Sequence, residues 1–162
     1  MLRPANYNGR PIPLVISPHG RGTSARANER IWGDLPGLGQ FAVINPAGEG
    51  RRLGQFSWGD PGQIADLARM PAIVRAHGVR VASNRIYAFG GSMGGQESLL
   101  LIARFPHLLA GAAAFDPATN MARRYWDSQA PLEAPCKDTR AKPVCPSAWA
   151  ASSAPNSSRT RQ

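Results

Sequence analysis

The chain has 162 residues, 43% of them hydrophobic, and a formal net charge of +9. That is long enough to bury one sizeable core, and no segment approaches the roughly 20 apolar residues of a membrane span. Seventeen of the nineteen basic residues are arginine, scattered singly or in pairs, so the charge describes a generic basic surface and not a partner nucleic acid or membrane.

In chain order, Met1 to Gly9 holds no apolar stretch that could serve as a secretory signal, which as given predicts a cytoplasmic protein. Residues 12–17 form a short apolar run that leads into Pro18-His19-Gly20-Arg21-Gly22. A helix is predicted over Arg26 to Leu38 and a strand over 41–45. Asp60-Pro61 reads as a helix start, cap then proline at the first position, with Gly78 as the stop after His77. Ile64, Leu67, Pro71 and Val74 share one face of that helix, although an interior proline removes a hydrogen bond and usually kinks. A strand follows at 86–89, then a helix from Gln96 to Phe105 closed by Pro106, then a strand at 110–115. The strand runs lack strict alternation, as expected of strands buried on both faces. Strands alternating with helices predict a mostly parallel, doubly wound α/β sheet with its chemistry at the carboxyl ends of the strands.

One run carries the chemistry: Ile86-Tyr87-Ala88-Phe89-Gly90-Gly91-Ser92-Met93-Gly94-Gly95. It is a strand ending in Gly-x-Ser-x-Gly that opens directly into a helix. A sharp strand-to-helix turn lifts a serine hydroxyl above the sheet, where a base and oxyanion donors can reach it. Ser92 is the candidate nucleophile. The backbone N–H of Met93 is one candidate oxyanion donor, helped by the positive end of the new helix. The second comes from the His-Gly loop, with Arg21 first and Gly22 next. The competing readings are a glycine-rich turn with Ser92 as a simple helix cap, and a loop in which His19 only holds the backbone. Neither a dinucleotide loop nor a P-loop is matched.

His-Gly-Arg-Gly, then 41–50, then the Ser92 run, then 105–116 resemble α/β-hydrolases of the prolyl-oligopeptidase type, serine peptidases and their esterase relatives. The resemblance covers roughly residues 10–127. It implies acyl transfer from an ester or peptide through a serine acyl-enzyme, with no cofactor and no metal. It says nothing of oligomeric state.

The acid and base are another matter. In this family the order along the chain is Ser, then Asp or Glu, then His. After Ser92 the only histidine is His107, at the end of the following helix; His19 and His77 precede the serine. Asp116 stands at the end of a strand, and before Pro117 it reads better as a turn former than as the triad acid. The chain therefore reads as an incomplete α/β-hydrolase domain, weakly active as given. The alternative is a non-catalytic α/β binding or interaction domain. Both cysteines and both lysines fall after residue 135. Residues 128–162, rich in proline, alanine and serine, predict a disordered tail. It is read either as native or as sequence foreign to the family beyond Asp127.

Overall fold

In the computed structural model, residues 1–48 and 56–120 are described. They form β1 (Ile12–Ile16), α1 (Ala25–Trp32), α2 (Leu35–Gly39), β2 (Ala42–Ile44), α3 (Pro61–Ala76), β3 (Val81–Gly91), α4 (Met93–Arg104) and β4 (Gly111–Phe115). The four strands are parallel, in the order β2-β1-β3-β4. After β1 the chain first adds β2 on one side and then crosses to add β3 on the other. The reversal lies between β1 and β3, and such a switch point opens a crevice at the carboxyl ends of the two strands. The loop after β1 and the turn after β3 both enter it.

The expected helix over Arg26 to Leu38 is two helices. Gly33 takes a positive φ of 45° and ends α1, and Pro36 in the first turn of α2 starts the next after Asp34. At α3 the capping prediction holds: the Asp60 carboxylate accepts the Gly62 N–H at 2.9 Å. Ile64, Leu67, Pro71 and Val74 are all buried on one face. Pro71 cannot donate to the Leu67 carbonyl, yet α3 runs on to Ala76. Strand β3 begins at Val81, five residues before the predicted 86–89 run, because Ser83-Asn84-Arg85 is polar and exposed and hides the strand from an apolar reading.

The strands are not uniformly buried on both faces. In β1 and the second half of β3, buried and less buried residues alternate. One face carries Leu14, Ile16, Ile86 and Ala88 against Leu67 and Val74 of α3 and Leu101 of α4, and this is the core. The opposite face carries Tyr87 and Phe89, which remain 39% and 40% exposed. Helix α1 buries none of its residues, and its Trp32 meets Phe89 and Phe41 edge-on at 5.6 and 5.9 Å. Two of the longer helices lie on the core side, so the other face of the central strands is only half covered. Strand β2 is buried throughout, and Leu2 bridges to its Val43 by two backbone hydrogen bonds.

Internal contacts divide the chain into Met1–Ala118 and Thr119–Gln162. The expected boundary at residue 127 and the tail beyond it lie outside the described residues. Among the described residues no helix is long and apolar enough to cross a membrane.

Leu101 is fully buried while its helix neighbour Leu99 is 37% exposed. Leu101→Ala is expected to lower unfolding free energy by about 2–5 kcal/mol, and Leu99→Ala by less than half as much, measured by urea titration of both variants against the parent.

Candidate active site

Strand β3 ends at Gly91 and α4 starts at Met93, so the whole reversal falls on Ser92, with φ 53° and ψ −120°. A side chain at such dihedrals costs of order 1–3 kcal/mol. The turn is held by the Ser92 N–H, which donates to the Phe115 carbonyl at 2.9 Å, and by the Ser92 carbonyl, which accepts from Gln96 N–H at 3.0 Å. Ser92 occupies the cap position of α4, but its hydroxyl makes no capping hydrogen bond. The simple-cap reading thus fails on the atom it needed.

Glycines make the reversal possible by contact. A Cβ on Gly90 would lie 2.4 Å from the Gly94 carbonyl carbon and oxygen. One on Gly94 would lie 2.1 Å from the Pro18 carbonyl oxygen and 3.0 Å from that of His19. Backbone atoms cannot yield that space, so the loop after β1 packs directly on the start of α4. Gly20 is then brought against the serine: its notional Cβ falls 3.7 Å from Ser92 Cβ.

The loop is tied down by its own polar groups. Residues 20–23 make a β-turn with Gly22 at φ 73°, closed by Thr23 N–H donating to the Gly20 carbonyl at 3.3 Å. His19 spans two backbones, with Nδ1 2.9 Å from the Gly20 carbonyl oxygen and Nε2 3.1 Å from that of Ala47. Among the described residues, neither Arg21 N–H nor Met93 N–H donates to a backbone acceptor.

Ser92 opens on a cavity of about 470 Å³ that Gly20, Arg21, Trp32, Phe89 and Phe115 also line. Three aromatic side chains share its wall with the polar Ser17, Thr23 and Asn28. Asp116 joins the lining, with φ 43° at the end of β4; aspartate tolerates that conformation in turns. Among the described residues no base is hydrogen-bonded to the Ser92 hydroxyl. His77 is exposed at the end of α3, its Nδ1 2.8 Å from the Ile73 carbonyl oxygen, and His107 is exposed beyond α4. Neither lines this cavity.

A second cavity, of about 500 Å³, lies beside the same loop and is lined by His19, Thr23, Phe56, Ser57, Met93 and Glu97. Glu97 is a residue the sequence reading missed. It is 1% exposed. The Ser57 hydroxyl donates to its Oε1, Gln63 Nε2 donates to its Oε2 at 3.3 Å, and the Gly59 N–H donates as well. Burial pushes the carboxyl above its ordinary value of 4.5, and those hydrogen bonds, with His19 nearby, pull against it. Helical spacing held the signal, since Met93, Glu97 and Leu101 fall four apart and all three are buried.

Residues 40–154 match the prolyl oligopeptidase family. The chain belongs to that family. The match runs on past Asp127, where the change of residue types suggests a stop. Over 119 residues the chain is 34% identical to "Putative esterase NocK" of Nocardia uniformis subsp. tsuyamanensis, covering 68% of this chain and 34% of that protein. Among solved structures it is similar to a bacterial heroin esterase, with TM-score 0.55 and 21% identity, covering 71% of this chain and 38% of the other. Esterase 2 of Thermogutta terrifontis gives TM-score 0.58 and 18% identity, covering 89% and 58%. These likenesses establish the α/β-hydrolase fold. The chain spans about a third of the length of the curated relative.

The raised Glu97 carboxyl has a defined sign. Folding favours its protonated form, so its contribution to stability is full below pH 4.5 and is lost as pH rises through the folded-state value. In Glu97→Gln that loss is expected to vanish. The difference in unfolding free energy between variant and parent, followed from pH 4 to 8, should move in favour of the variant as pH rises; a flat difference would contradict a raised carboxyl.

Proposed function

We propose that this protein is a serine hydrolase that cleaves an ester or peptide through an acyl-enzyme on Ser92. The observation that carries the reading is the strained Ser92, held at the switch point of a parallel sheet with its hydroxyl bonded to none of the described residues. Selection for stability alone would leave no reason to hold a side chain there. In the proposed reaction the Ser92 hydroxyl attacks the substrate carbonyl carbon and its proton passes to a base. The oxyanion is stabilised by the N–H of Met93, at the positive end of α4, and by the N–H of Arg21. Collapse expels the alcohol or amine, and water then releases the acyl group. The esterase names of the relatives support an ester over a peptide, and Trp32, Phe89 and Phe115 beside Ser92 suit an apolar substituent.

The base and acid are not identified with any described residue. In hydrolases stripped of triad members, the oxyanion hole and binding alone give a residual acceleration of roughly 10³ to 10⁴ over water, and this chain is expected to work at that level. A non-catalytic binding domain is the competing reading, favoured by the same lack of a base beside Ser92.

A fluorophosphonate probe is expected to label the chain at one residue, Ser92, slowly, with labelling abolished in Ser92→Ala and the adduct located by peptide mass spectrometry. Labelling that persists in the variant would remove Ser92 from the mechanism. Hydrolysis of a p-nitrophenyl ester should exceed that of Ser92→Ala only modestly and rise with pH without a plateau. A large excess with an inflection near pH 7 would mean that one of the three histidines serves as base after all.

A further inference from the structure

The turn at 20–23 is held by more than its own backbone hydrogen bond. Thr23 donates twice to the Gly20 carbonyl oxygen, from its N–H at 3.3 Å and its hydroxyl at 2.9 Å, and His19 Nδ1 lies 2.9 Å from the same oxygen. The hydroxyl makes the closer of the two Thr23 contacts, and N–H···O bonds weaken beyond about 3.2 Å. The Gly20–Arg21 peptide is trans, as are all the described peptide bonds. In a trans peptide the C=O and the following N–H point in opposite directions. Holding the Gly20 oxygen toward the inside of the turn therefore drives the Arg21 N–H outward. Gly20 itself lies against Ser92, and Arg21 lines the cavity into which Ser92 opens.

We propose that Thr23 is a positioning residue for catalysis: its hydroxyl, by gripping the Gly20 carbonyl, aims the Arg21 N–H at the oxyanion that forms on Ser92. This rests on the serine hydrolase reading and deepens it. Thr23 touches no reacting atom. It stands between the two cavities and lines both, so loss of its hydroxyl leaves the elbow and the core untouched. The His19 contact is a weaker warrant for the same role, because a neutral imidazole donates from only one nitrogen and His19 faces carbonyls with both. The threonine hydroxyl is a donor in every protonation state. Serine can make the same bond; valine has the same shape and cannot.

The test compares the rate of fluorophosphonate labelling at Ser92, and kcat and KM for a p-nitrophenyl ester, in the parent, Thr23→Val, Thr23→Ser, Arg21→Pro and the double variant. Removal of one oxyanion donor typically lowers kcat by about 10² to 10³. Thr23→Val, which leaves the donor present but badly aimed, is expected to slow labelling and kcat by about tenfold or more, with KM and thermal midpoint unchanged. Thr23→Ser should restore most of the rate. Arg21→Pro removes the N–H outright, so adding Thr23→Val to it should slow the reaction no further. Parent-like labelling in Thr23→Val overturns the proposal while leaving the serine hydrolase reading intact. So does a full additional loss in the double variant, because Thr23 would then act by another route. If Ser92→Ala labels and turns over like the parent, the hydrolase reading itself fails, and the role of Thr23 falls with it.

Discussion

Two carbonyl oxygens of the loop after β1 stand where a methyl group on Gly94 would have to be. That close approach is the constraint on which the site depends. It joins the end of β1 to the first turn of α4 by backbone contact, with no side chain in between to relax or rotate. From it follows the placement of Gly20 against Ser92 and the entry of the 20–23 turn into the crevice between β1 and β3. It also explains why the reversal is confined to one residue: Gly90 meets Gly94, and Gly95 meets the Gly90 carbonyl, so strand and helix cannot be prised apart to share the bend.

The 20–23 turn divides the region into two unlike chambers. On the Ser92 side the aromatic Trp32, Phe89 and Phe115 stand beside the polar Ser17, Asn28 and Asp116. On the other side lies a buried carboxylate already serving three donors, Ser57, Gln63 and the Gly59 N–H. Glu97 therefore acts first as a clamp. Two of its donors lie on the segment that leads into α3 and the third in the first turn of that helix, so the carboxylate ties the start of α3 to α4. Loss of the Glu97 carboxyl would strand its donors, since a buried group without its hydrogen bond costs about 1–3 kcal/mol.

The architecture was legible because parallel α/β order writes itself as alternation: apolar runs, glycine exits and a capped helix such as Asp60–Ala76. The elbow was legible for a sharper reason, since close backbone contact leaves only glycine at Gly90 and Gly94. What escaped did so for physical causes. The first half of β3 is polar because Ser83, Asn84 and Arg85 are exposed, and an apolar reading passes over them. Uniform burial was inferred from missing alternation, yet alternation appears once Tyr87 and Phe89 are seen on an open face, because large aromatics are apolar whichever way they point. Glu97 was passed over because a charged residue in a helix reads as solvent-facing. Its burial depends on Ser57, Gly59 and Gln63, more than thirty residues away in sequence and unreadable from local pattern.

The positive φ at Ser92 also bears on the history of the chain. Glycine adopts such dihedrals freely, so the backbone at this position favours losing its side chain by of order 1–3 kcal/mol. A lineage released from chemistry would find glycine one mutation away and downhill in stability. At Gly90, Gly94 and Gly95, by contrast, an added carbon is resisted by contact with backbone atoms. Under the proposed function, drift and chemistry pull in opposite directions at Ser92. On that reading, the hydroxyl found there is a running record of which has prevailed.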